Sequence, residues 1–103
     1  MTNETNPTIT AQTITLARRV RISPDVLLQE TGGEAVLLDI ASENYFGLNQ
    51  VGTRIWRLLD GGADLRGAFD TVLTEYDVPA EQLEQDVLAL VGQLADAGLV
   101  TIE

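Results

Sequence analysis

The sequence predicts an α+β domain in which a three-stranded antiparallel sheet comes first and three helices follow. Two observations carry this. Residues 26–48 hold apolar runs of strand length, split by Gly32-Gly33 and by the turn formers Ala41-Ser42-Glu43-Asn44. Residues 49–97 hold three stretches with apolar residues at helical spacing, split by Gly61-Gly62 and by Asp77-Val78-Pro79. A chain of 103 residues supports one modest core, and no internal repeat divides it.

Residues 1–12 are rich in Thr and Asn and read as a disordered tail, with a single domain over 13–103. Ile14, Leu16, Val20 and Ile22 share one parity, which suggests extended structure up to Ser23-Pro24. Val26 to Thr31 is the next extended run. Gly32-Gly33 then forms a two-residue hairpin turn, since glycine accepts positive φ. Ala35 to Ile40 returns as a nearly continuous apolar strand, the mark of a central position. Asn44 to Leu48 is the last strand of the sheet. Tyr45 and Phe46 must face opposite sides of it, one toward the core and one toward a partner.

Asn49 is placed to cap the first helix, with Val51, Ile55, Leu58 and Leu59 on one face. Trp56 lies off that stripe and is read as a core filler. Asp64 caps the second helix, whose inner stripe is Leu65, Ala68, Phe69, Val72, Leu73 and Tyr76. Pro79 suits the first turn of the third helix, which runs to about Ala97 and stops at Gly98. Its stripe of Leu83, Val87, Leu90, Val91 and Leu94 is widened by Leu88 and Ala95. An arc that broad either lines a groove along one edge or packs on both the sheet and the first helix. Leu99 to Ile102 is an apolar tail able to dock on the body. The order resembles a winged helix-turn-helix with the sheet placed first.

Composition narrows the function. The chain has no His, Cys or Lys, so the usual bases and nucleophiles at neutral pH are missing, and no enzymatic activity is expected. The carboxylates match no calcium loop, and without His or Cys no transition-metal site or other cofactor is expected. No run of ~18 apolar residues and no signal-like start occur, so a cytoplasmic protein without a membrane partner is expected. Six arginines face sixteen carboxylates, for a net charge of −10. The imbalance lies in residues 23–103, where fifteen carboxylates face three arginines, a net −12. Such a body repels a phosphate backbone and attracts neutral or basic partners, or simply stays soluble.

The strand Asn44 to Leu48 lacks the usual protection of a sheet edge. It has no Lys and no Pro, and Gly47 lets another backbone come close. An extended peptide can add to such an edge. Two rival readings use the same elements: a winged-helix DNA-binding transcription regulator, and a structural subunit that dimerises through the edge. The regulator would want a basic recognition helix, yet the third helix holds no Arg or Lys.

Gly33-Glu34-Ala35-Val36-Leu37-Leu38-Asp39, Asn44-Tyr45-Phe46-Gly47-Leu48-Asn49, Val51-Gly52-Thr53-Arg54-Ile55-Trp56, Leu59-Asp60-Gly61 and the ending, with Asp86-Val87, Leu94 and Gly98-Leu99-Val100, resemble the small PqqD-like proteins. These are leader-peptide recognition elements of pathways that modify ribosomally made peptides (RiPPs). The aromatic-Gly-Leu-Asn block is most similar to stand-alone versions from lasso peptide biosynthesis. The resemblance implies that a precursor's leader pairs with the strand Asn44 to Leu48 and lies in a cleft against the third helix. Family leaders carry a Tyr-x-x-Pro-x-Leu pattern, and a separate leader peptidase and a cyclase then act on the precursor. Carried over by position, the peptide-binding residues are Asn44, Tyr45, Phe46, Gly47 and Leu48 of the strand, with Leu83, Asp86, Val87 and Leu90 of the helix. The Thr-rich tail and the Arg18-Arg19-x-Arg21 cluster depart from the family pattern.

Overall fold

The computed structural model describes residues 14–103, and the expected tail over 1–12 lies outside them. The elements run β1 (Val20–Ile22), β2 (Val26–Thr31), β3 (Glu34–Asp39), β4 (Asn44–Leu48), α1 (Gln50–Asp60), α2 (Leu65–Glu75), α3 (Ala80–Asp96) and β5 (Val100–Ile102). β2, β3 and β4 form the expected three-stranded antiparallel sheet, with β3 in the middle and the three helices after it.

Two turns fix the register of this sheet. Gly32 and Gly33 take φ of 60° and 91°, so the β2–β3 hairpin uses the positive φ that glycine allows. The β3–β4 turn is closed by Asp39, which is buried. Its carboxylate accepts from the Ala41 amide (3.1 Å) and from the Ser42 hydroxyl (2.9 Å), and its carbonyl accepts from the Glu43 amide (2.7 Å). Cross-strand partners follow in rows: Leu28, Leu37 and Phe46 in one, Leu27, Leu38 and Tyr45 in the next.

The helices start and stop where the sequence says. Asn49 Oδ1 accepts from the Gly52 amide (2.8 Å) and Asp64 Oδ1 from the Gly67 amide (2.7 Å), each meeting an orphan donor of a first turn. Pro79 sits one place before the helix, as the N-cap of α3, and not within its first turn. The core has two joined parts. One gathers the helices, with Ile55, Leu59, Leu65, Phe69, Val72, Leu83, Val87 and Val91; the other lies under the sheet, with Ala35, Leu37, Leu48, Trp56, Leu94 and Leu99. Trp56 is 3% exposed and fills the core, as read from the sequence.

Two features depart from expectation. Residues 14–22 are not one extended run: a turn closed by the Arg18 amide on the Thr15 carbonyl (3.0 Å) interrupts it, and only Val20–Ile22 is strand. Ile14 and Leu16 nevertheless bury their side chains in the helical core. The apolar tail does dock, but as β5, antiparallel to β1, making a second, two-stranded sheet. The Arg cluster serves this ribbon. Arg18 Nε donates to the Glu103 carbonyl (2.8 Å), and Arg21 pairs with the Glu103 carboxylate (2.7 Å).

Candidate functional site

β4 is an edge strand, bonded to β3 on one side only. Which of its backbone groups face outward follows from the ladder. The Ile40 amide donates to the Asp25 carbonyl (3.0 Å), so Ile40, Leu38, Val36 and Glu34 turn their polar groups toward β2. Asp39, Leu37 and Ala35 therefore turn theirs toward β4, where their partners Asn44, Phe46 and Leu48 receive them. That leaves the N–H and C=O of Tyr45 and Gly47 directed at the open side.

Side chains alternate with the same period. Ala35, Leu37 and Asp39 are buried beneath the sheet, so their partners Leu48, Phe46 and Asn44 share that inner face. Leu48 is buried, Phe46 is half-buried, and Asn44 at the turn is exposed. Tyr45 stands on the outer face with 77% of its surface exposed.

Beside this edge runs a groove of about 470 Å³ between β4 and α3. Phe46, Gly47 and Leu48 form one wall. Leu83, Asp86, Val87 and Leu90 line it from α3, joined by Ala89 and Gln93 on the same helical strip. The start of α1 closes one end with Val51, Gly52 and Ile55, and Tyr76 and Val78 contribute from the segment after α2. The surface is therefore mainly apolar. Asp86 supplies the one carboxylate, and its Oδ1 accepts from Gln82 Nε2 (2.9 Å).

Seven of the nine residues singled out by sequence thus meet around one groove. Asn44 and Tyr45 do not line it. Leu83 and Val87 are 3% and 2% exposed, so they belong to the core as much as to the groove floor, whereas Leu90 is only half-buried and offers its side chain. The widened arc of α3 buries one edge in the core and lines the groove with the other. Leu88 and Ala95 pack against the core clusters, and the groove runs along the opposite edge, through Asp86 and Gln93. Val78 was legible only as part of a helix break, yet it is an exposed apolar residue at the groove.

Among the described residues no group of three or more His, Cys, Asp or Glu is placed to hold a metal, and no helix is long and apolar enough to cross a membrane. The ion pairs found brace the scaffold. Arg54 on α1 forms a bidentate pair with Glu75 on α2 (2.8 and 2.7 Å), and Arg57 on α1 pairs with Glu30 on β2. The hydrogen bond from Arg54 holds the Glu75 carboxyl below the usual glutamate range.

The family model for coenzyme PQQ synthesis protein D (PqqD) matches residues 34–100, from the start of β3 into β5. The chain belongs to the PqqD family. Its groove and open edge are thus features of a PqqD-family domain. Two solved structures are similar to this one. TbiB1 in complex with the TbiA(beta) leader peptide is 35% identical with a TM-score of 0.73, over 78% of this chain and 93% of that chain. Lasso peptide synthetase B1 complexed with the leader peptide is 32% identical with a TM-score of 0.67, over 81% of this chain and 98% of that one. No curated protein matches the chain. With its three-stranded sheet followed by three helices, this PqqD-like domain has the architecture of a RiPP recognition element.

Proposed function

We propose that this protein is a non-catalytic adaptor that binds the leader of a ribosomally made precursor peptide in lasso peptide biosynthesis. The observation that carries the reading is the open edge of β4 directly beside an apolar groove. The leader adds a strand to that edge, bonding to Tyr45 and Gly47, and sends alternate side chains inward against Phe46, Leu48 and Leu90. Both similar structures hold leader peptides, which supports the same ligand class here.

The magnitudes suit a carrier that must also release its cargo. Four main-chain bonds are worth about 0.5–1.5 kcal/mol net each. Two or three apolar anchors add roughly 1.5–3 kcal/mol each. After the cost of ordering a flexible peptide, this gives roughly micromolar to nanomolar affinity. The adaptor then presents the precursor to a leader peptidase and a cyclase in the cytoplasm, needing no cofactor, nucleic acid or membrane.

Isothermal titration of the precursor's leader in the presence of a chelator tests the reading. Binding that persists supports it, and binding that the chelator abolishes contradicts it. The rival, a winged-helix DNA-binding regulator, is disfavoured by α3, which carries no Arg or Lys and sits on a body of net charge −12.

A further inference from the structure

Gly47 is a glycine that the domain itself does not require. It is absent from the positions with positive φ, and a Cβ added to it would meet nothing within 4 Å. A glycine inside a strand weakens it, so the bare position calls for a reason outside the isolated fold. Its surroundings supply one. Gly47 shares the outer face of the sheet with its cross-strand partner Val36 and with Tyr45, both exposed. Glu34 lies two residues before Val36 on the same face, exposed and without an ion pair among the described residues. Thr31, Glu34, Val36 and Gly47 line a second depression of about 330 Å³ there, which meets the inner groove at Gly47, Leu48 and Asn49.

We infer that this outer depression is a second subsite for the same peptide, receiving a Lys or Arg side chain from the residue that lies beside Gly47. The inference rests on the strand-addition reading above. In an added strand, residues beside Phe46 and Leu48 point inward, and the residue beside Gly47 points outward. The missing side chain at Gly47 opens a path across β4. A long basic side chain lays its methylene stem over Gly47 and Val36 and brings its cationic head to Glu34. Glu34 lies two strands across and two residues along from that peptide residue, roughly 12 Å between Cα atoms, a span that an extended basic side chain and the Glu34 side chain close together. The acidic body favours the same charge. The peptide is therefore read on both faces, apolar inward and basic outward.

Selection from a random peptide display library with three proteins tests this: wild type, Gly47→Val and Glu34→Lys. Valine suits an open strand position, and Glu34 is exposed, so both variants keep the fold, which circular dichroism checks. Wild type should enrich peptides with Lys or Arg at one position flanked by apolar residues. Gly47→Val should bind the selected peptide about tenfold more weakly and recover when that basic residue is replaced by Gly. Glu34→Lys should bind about threefold more weakly and recover with Glu in the peptide. Equal binding by wild type and Gly47→Val, or enrichment of apolar anchors with no basic position, overturns the outer subsite while strand addition stands. Failure of all three proteins to select any peptide overturns the peptide-binding reading, and this inference with it.

Discussion

Tyr45 and Phe46 are neighbours in the chain and opposites in setting. Tyr45 stands on the outer face, 77% exposed, with its backbone N–H and C=O directed away from the sheet. Phe46 turns its ring into the groove and its backbone toward Leu37. An edge strand built this way offers hydrogen bonds from one set of residues and apolar contacts from the other.

That division gives a sharp substitution test. Proline at Tyr45 removes an outward donor and leaves the ladder to β3 intact, as edge positions permit. Tyr45→Pro should keep the fold and bind leader about tenfold more weakly than Tyr45→Ala. Phe46→Pro removes a donor to β3 and should instead lower thermal stability. The register makes Tyr45 and Gly47 the positions at which proline blocks the open edge.

The groove wall and the core floor should separate in the same way. Leu90 is half-buried and packs on the core while lining the groove, so Leu90→Ser should lower stability less than Leu83→Ala does and weaken leader binding by about tenfold or more. Leu83 is buried, and Leu83→Ala should cost about 2–4 kcal/mol in chemical denaturation.

The cap of α1 positions one end of the groove. Asn49→Ala removes the acceptor for the Gly52 amide and should destabilise the domain by about 1 kcal/mol, measured by urea unfolding.

The Arg54–Glu75 pair predicts a pH signature. Glu75 is held below its ordinary value of 4.5, so its contribution is present above that value and lost as pH falls through its lower folded value. Wild type should therefore melt slightly above Glu75→Gln at pH 7, the difference shrinking below about pH 4.5. An undiminished difference at pH 2 would contradict this assignment.

Much of the fold is legible in the sequence because its punctuation is chemical. Gly32-Gly33, Asn49, Gly61-Gly62, Asp64 and Gly98 mark turns and caps that the structure uses as read. The β1–β5 ribbon is not legible, since three-residue strands carry no periodicity and their pairing joins the two ends of the domain. For the site, alternation shows that Tyr45 and Phe46 diverge, but not which one faces inward. That depends on the pairing of Asn44 with Asp39, set by a turn whose geometry involves Glu43 at a φ of 62°. Val51 reads as part of the inner stripe of α1 and Val78 as part of a helix break, and only packing reveals them, with Gly52, as groove lining.

Strand addition itself is tested most directly by amide hydrogen exchange, read by NMR, with and without leader peptide. Phe46 and Leu48 already donate into the sheet, so their amides should be protected in the free protein. Those of Tyr45 and Gly47 should exchange quickly when free and become strongly protected when leader binds, while Val26 to Thr31, across the central strand, change little. Tight binding that leaves the Tyr45 and Gly47 amides exchanging as fast as before would contradict the account.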